Sequence, residues 1–450
     1  MLGSRGSRMA TLAACAALLL TTGACGTDQQ QPEEGDTHQV RLYGTDGNML
    51  NTYPGELKDR AHLVDGMKGT TPLTPLPEDF KRRLRAVDPE LKDFLYAAES
   101  YDAVLISALA AQLAGRTAPA AVAKQINGVT NEGQRCEDAA GCLELARAGQ
   151  DIEYRSVSMT RAGFTDAGEP ATASYGTLHF DDQRLNDGKT EFVGAGDESA
   201  ASTKAPPKGF RQRGKVPASS GAPLVLGGLL PRTGALALAY PPLAAGAALA
   251  VREINAAGGV LGEPVVWLDG DDGTAPNVAK ATVASHLREG AHVIIGAGAS
   301  GISMAVLPEV VAAGRILFSP SNTDSALTEV DDKGLYFRTA PPDSLQGRAL
   351  ADVILRDGPR KVALVARKDS YGEGLQGFVR TELERAGLGA DAVRLLTYEP
   401  PADADAPPVD FSAGAREIKE FGADAVLLIG FAESAAVILA LDDADVPVQP

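Results

Sequence analysis

From residue 222 to residue 450 the chain alternates short apolar segments with amphipathic ones, and that rhythm leaves few architectures open. Strands are expected at 224–230, 264–268, 292–295, 315–319, 361–366, 392–397 and 425–429, with helices between them. Continuous apolar strands joined by helices predict parallel sheets covered on both faces, the doubly wound α/β class. A break near residue 340 divides the run into two lobes. The rhythm halts at Pro450, where one more strand is due, and Val40 to Gly47 has the character of that strand and its turn. On this reading a two-lobed fold is written in rotated order, its second half ahead of its first. The rest of the upstream half reads as helices at 77–87, 93–113 and 119–126, then short strands near 175–180 and 191–193. Residues 195–221, rich in Ser, Ala, Pro, Gly and Lys, read as a linker.

The first 25 residues have the pattern of an export signal: Arg5 and Arg8, an apolar stretch from Met9 to Leu20, then small residues before Cys25. Small residues at this place fit plain signal cleavage and also a bacterial lipobox, in which Cys25 receives lipid. The lipobox reading makes 26–37 a tether and restricts membrane attachment to that anchor. Loss of the segment removes two arginines and no acid from a chain already at −17. So acidic a surface repels nucleic acid and anionic lipid, which leaves zwitterions and proteins as partners. Cys136 and Cys142, with five residues between them in an exported chain, read as a local disulfide worth roughly 2–3 kcal/mol. The five histidines are scattered and none follows the cysteines at finger spacing, so neither a metal nor a cofactor is expected.

Gly296-Ala-Gly298-Ala-Ser-Gly301 matches G-x-G-x-x-G between a strand and a helix. The same spacing recurs from Gly372 to Gly377, and the following strand runs into Pro320 where a ribose-binding acid belongs. Ser300 fails as a nucleophile elbow because Ile302 replaces the second glycine. Anion capture fits the loop better: backbone N–H groups at a helix start, with the Ser300 hydroxyl, can hold a carboxylate. Ser319-Pro-Ser321-Asn-Thr323 offers a second polar turn one strand later, at the edge where open α/β sheets take ligands. Both loops are equally readable as plain tight turns, and Asp46 as a turn aspartate.

Together with Leu230-Pro-Arg-Thr-Gly234, Ser370-Tyr-Gly-Glu-Gly374 and, upstream, Tyr43-Gly-Thr-Asp-Gly47, these motifs give the chain its resemblance to a known family. It resembles type I periplasmic binding proteins of the leucine/isoleucine/valine-binding kind, residues 222–450 supplying the first two thirds and 38–194 the remainder. The resemblance implies two lobes around a ligand cleft, joined by three crossings: 65–160 with 222–341, and 38–64 with 161–194 and 342–450. Residues 195–221 would join the family's old ends, spanning roughly 25–30 Å as a flexible coil. The resemblance further implies that Ser300, Thr323 and the main chain at Ser321 take an amino acid's carboxylate and share its ammonium. Asp46 and Tyr371 would meet that ammonium from the other lobe, and Tyr96 and Phe431 would line the side-chain pocket. Tyr96, Tyr371 and Phe431 also read as ordinary packing residues. Asp46 is one methylene shorter than the glutamate of the leucine binder, and Phe431 lacks a hydroxyl where tyrosine is expected. The function implied is delivery of a branched-chain amino acid or similar zwitterion to an ABC permease, with no enzymatic step. A sensory receptor using the same cleft is the alternative, and a Ser-dependent hydrolase comes third.

Overall fold

The computed structural model describes residues 39–155, 157–209, 222–403 and 406–449. The expected signal segment, the tether, Cys25 and the 210–221 part of the linker lie outside the described residues. Within 39–449 the chain builds two principal sheets. The smaller is wholly parallel, in the order Tyr336–Arg338, Ile316–Ser319, Val293–Gly296, Val225–Leu229, Val266–Leu268. Its inner strands are buried on both faces, and the period-2 alternation shows in what each side chain meets. Val293, Ile295, Ile316 and Phe318 pack with Val104, Leu105 and Leu249. Ile294 and Leu317 pack the other way, with Ala279, Val283, Val306 and Val310.

The helix Ala97–Ala114 is buried on nearly every side, as an apolar helix without a polar face must be. It lies against the helix Tyr240–Ala256, and Gly246 permits the approach, since a Cβ there would run into the Ala97 carbonyl oxygen. An upstream helix thus completes the cover of a downstream sheet.

The larger sheet runs Val393–Tyr398, Val362–Arg367, Ala425–Ile429, Arg41–Gly44, Lys68–Pro72, Thr172–Asp181, with Arg184–Leu185 and Glu191–Gly196 on the last of these. Arg41–Gly44 enters parallel beside Ala425–Ile429, pairing Arg41 with Ala425 and Tyr43 with Leu427. Val40 also bridges Val448, so the first and last described stretches are neighbours. Leu42 is sealed into a core with Val426, Leu428, Val365 and Ile438.

Two boundaries differ from the expectation. Lys68–Pro72, placed by sequence with the first lobe, pairs with Arg41–Gly44 and Thr172–Asp181 in the larger sheet. Its Lys-Gly-Thr-Thr-Pro sequence lacks the apolar signal of a buried strand. Residues 161–171, placed with the second lobe, pack instead on the smaller sheet, where Phe164 meets Phe318 at 6.1 Å and Glu169 pairs with Arg338. The chain passes between the sheets after Pro72, before Thr172 and between Arg338 and Asp343. The described part of the expected linker is also packed: Ser202 donates to Asp166 (2.6 Å), and the Pro207 carbonyl accepts from Gln125 (3.1 Å). A small separate sheet pairs Gln134–Cys136 with Ile152–Tyr154, and a disulfide joins Cys136 to Cys142.

Candidate functional site

Two loops at the C-terminal edge of the smaller sheet form one wall of the site. After Val293–Gly296 the chain turns into the helix Ser300–Ala312, presenting the first N–H groups of a helix where no preceding turn can accept them. The neighbouring loop after Ile316–Ser319 is stitched to the first. Ser319 Oγ donates to Ala297 O (2.9 Å), Ser321 Oγ to Gly298 O (2.8 Å), and Asn322 Nδ2 to both carbonyls (3.1 Å each). The Ser321 hydroxyl is thereby engaged in holding the loop. Ser300 Oγ accepts from the Asp324 amide (3.3 Å).

A fully buried arginine anchors this wall from behind. Arg338 Nη1 donates to the carbonyls of Asn322 (3.3 Å) and Asp324 (2.8 Å), while its Nε meets Glu169 (2.9 Å) and its Nη2 meets Thr328 (2.7 Å). Breaking a buried pair of this kind costs about 3–5 kcal/mol, because the remaining charge has no solvent to turn to.

The opposite wall belongs to the larger sheet. Asp46 follows the strand Arg41–Gly44 in a turn held by Asn48, whose Oδ1 accepts from Thr45 N (2.8 Å). Its carboxylate accepts from Tyr96 Oη (2.9 Å), Tyr371 Oη (2.9 Å) and Gln346 Nε2 (3.2 Å). Burial raises the Asp46 pKa, and these three hydrogen bonds offset only part of that rise. Tyr371 stacks on Phe431 (5.5 Å between centroids, 20° between planes), and Arg367 lies over the far face of that pair, 3.8 Å from the Phe431 centroid. Tyr96 stands just before the helix Ala97–Ala114 with φ of 57°, a left-handed conformation that costs a non-glycine residue roughly 1 kcal/mol. The surrounding structure holds that strain where the phenol meets Asp46, as strained residues at binding sites are often held.

All seven residues singled out by sequence line a single pocket: Asp46, Tyr96, Ser300, Ser321, Thr323, Tyr371 and Phe431. Leu95, Leu236 and Ala239 give it apolar surface. No lysine or arginine is among its lining residues. The arrangement offers a carboxylate on one wall, a helix start with hydroxyls on the other, and aliphatic and aromatic surface between them. Among the described residues no group of His, Cys, Asp and Glu could hold a metal ion, and no helix is long and apolar enough to cross a membrane.

A family model described as periplasmic binding protein matches residues 223–449, half of the chain. The chain belongs to the periplasmic binding protein family. Its two lobes, one sheet wholly parallel and the other parallel as far as Lys68–Pro72 and antiparallel beyond it, have the type I form of that family's fold. Among the relatives of this periplasmic binding protein, a Leu/Ile/Val-binding protein homolog of Brucella melitensis is 30% identical over 227 residues, 50% of this chain and 59% of the relative. An amino acid binding protein of Pseudomonas aeruginosa is 32% identical over 212 residues, 46% of this chain and 54% of the relative. The chain thus spans little more than half the length of the curated relatives it matches. A solved branched-chain amino acid transporter substrate-binding protein of Streptococcus pneumoniae, in complex with isoleucine, is 26% identical, covers 46% of this chain and 57% of its own, and has a TM-score of 0.39. These relatives are binding proteins rather than enzymes.

Three site residues escape a linear reading of this family member. Gln346 and Asp343 occupy the first turn of a helix that sequence treats as an ordinary crossover. Arg338 ends an apolar strand, and its partner Glu169 is 169 positions away. A lone arginine in an otherwise apolar strand was the available signal.

Proposed function

We propose that this protein is an extracytoplasmic solute-binding protein of an ABC importer, and that its ligand is an amino acid of the branched-chain type or a similar small zwitterion. The carboxylate would rest on the Ser300 helix start, with Thr323 and the main chain at Ser321. The ammonium would face Asp46, braced by Tyr371 and Tyr96. The aliphatic side chain would lie against Leu95, Leu236, Ala239 and Phe431. One observation carries this reading: a buried carboxylate and a helix N-terminus face one another across a small cavity lined by no basic residue.

The finer parts of the proposal are attachment through lipid on Cys25, a permease as partner, and a circularly permuted element order. The permuted order is supported by a family match that begins at residue 223 and by the front strand Arg41–Gly44 pairing beside Ala425–Ile429. The partial coverage of the relatives is consistent with it, since the front segment supplies strands and helices to both lobes. Affinity in the micromolar range, about −8 kcal/mol, suits uptake. A thermal-shift screen of the full chain against amino acids, amides and small carboxylic acids tests the ligand class. Zwitterionic amino acids should raise the melting temperature, whereas acids without an amine should not. Stabilisation by simple acids alone would remove the zwitterion reading.

A further inference from the structure

Behind the Asp46 wall lies a set of buried polar atoms that ligand binding leaves unused. Asp343 opens the helix Asp343–Arg356, and its amide donates to the Thr323 carbonyl (2.6 Å), directly behind the carboxylate wall. Its side chain is fully buried, and neither carboxylate oxygen makes a hydrogen bond of acceptable geometry. The Thr323 hydroxyl favours its ionised form, a smaller effect than burial or the Asp46 charge. Thr70 Oγ1, Tyr175 Oη and Gln346 Oε1, on residues equally buried, are also without partners among the described residues. Gln346, one turn after Asp343, links this compartment to the ligand wall: its Nε2 donates to Asp46 Oδ1 (3.2 Å) and to Thr70 O (3.3 Å).

Two carboxyls therefore share a buried region with little to neutralise them. The charged and titratable groups facing Asp343 are Asp46 from its turn, Asp324 from the adjoining loop and Arg338 from its strand. Tyr96, Tyr175 and Tyr371 feel the Asp343 charge from the start of the helix Ala97–Ala114, the strand Thr172–Asp181 and the helix Ser370–Arg385. Arg338 is committed to Glu169, Thr328 and two carbonyls. Burial first, and the Asp46 charge second, hold Asp343 well above the usual carboxylate range. Two like charges this confined cannot both persist. The hydrogen bonds decide which carboxyl keeps the charge: Asp46 receives three donors and Asp343 none of good geometry.

We propose that Asp46 and Asp343 hold a single proton between them, lodged on Asp343, so that Asp46 alone carries the charge that meets a ligand's cation. Asp343 is then a positioning residue that sets the ligand's charge class, because the wall accommodates one ammonium, and a second would have to expel the stored proton. The ligand part rests on the solute-binding reading above; the proton itself does not.

Carbon-13 spectra of aspartate-labelled, ligand-free full chain, assigned through the backbone, give the titration of each carboxyl. Asp343 should remain protonated at about pH 7 while Asp46 is ionised, and Asp46→Asn should lower the pH at which Asp343 ionises by about one unit or more. Asp272, which burial pushes up to about 7, is distinguished by its own assignment. The proposal is overturned if Asp343 is ionised at neutral pH, if both carboxyls are protonated there, or if Asp46→Asn leaves the Asp343 titration in place. If Asp46→Asn does not fold, the wild-type titration alone decides. Calorimetry with L-leucine in buffers of different ionisation enthalpy adds the ligand arm. Binding without release of a proton supports the stored proton, and release of one proton per leucine contradicts it. Failure of leucine to bind would count against the ligand reading, with the carboxyl titration still deciding the proton.

Discussion

Glu99 shows how much a single buried acid can determine. It lies inside the helix Ala97–Ala114, and its backbone carbonyl accepts from Thr339 Oγ1 (2.8 Å) where the chain passes between the lobes. Burial pushes its carboxyl up to about 8, so the folded protein favours the neutral form. A raised carboxyl contributes stability that is whole below its ordinary value near 4.5 and is lost as pH rises through about 8. Asp272, raised to about 7 chiefly by burial, adds to the same decline. Ligand-free protein should therefore melt at progressively lower temperature between about pH 5 and pH 9. Glu99→Gln, which cannot ionise, should flatten that fall, gaining roughly 2–4 kcal/mol over wild type at the alkaline end. Parallel melting curves for the two proteins across this range would show that Glu99 ionises without cost.

The decisive element is the strand Arg41–Gly44. Its apolar side chains and the turn after it were legible from sequence, because a central parallel strand needs apolar residues on both faces. Its neighbour Lys68–Pro72 was not legible. A Gly-Thr-Thr strand takes its place from the partners on either side, and backbone pairing leaves no mark in the side-chain pattern. The site divides in the same way. Ser300, Thr323 and Asp46 stand in loops at strand ends, where motif and spacing speak. Arg338, Gln346 and Asp343 act through partners remote in sequence, and only Arg338 carries a local mark, as the one charge in an apolar strand. If Arg41–Gly44 is integral to the rear portion's sheet, Leu42→Ala should destabilise the whole body by about 2–5 kcal/mol, the range for truncating a sealed core leucine. Urea unfolding checks this: the midpoint should drop within one cooperative transition. An unchanged midpoint would detach the front strand from the core.

At the scale of the whole molecule, the account requires that groups hundreds of residues apart act on one ligand. Asp46 stands on the larger sheet, Ser300 and Thr323 on the smaller, and one cavity brings them together. Closure of two lobes over a small solute removes both walls from water, and that is where a carboxylate–ammonium contact gains strength. Neither wall alone presents the complementary charges of a zwitterion. The most direct measurement is calorimetric affinity for the amino acid giving the largest thermal shift, in wild type and in Asp46→Ala. The account expects binding weakened by roughly 1–3 kcal/mol, about 5- to 150-fold, with the fold intact by circular dichroism. Unchanged affinity in Asp46→Ala would contradict it.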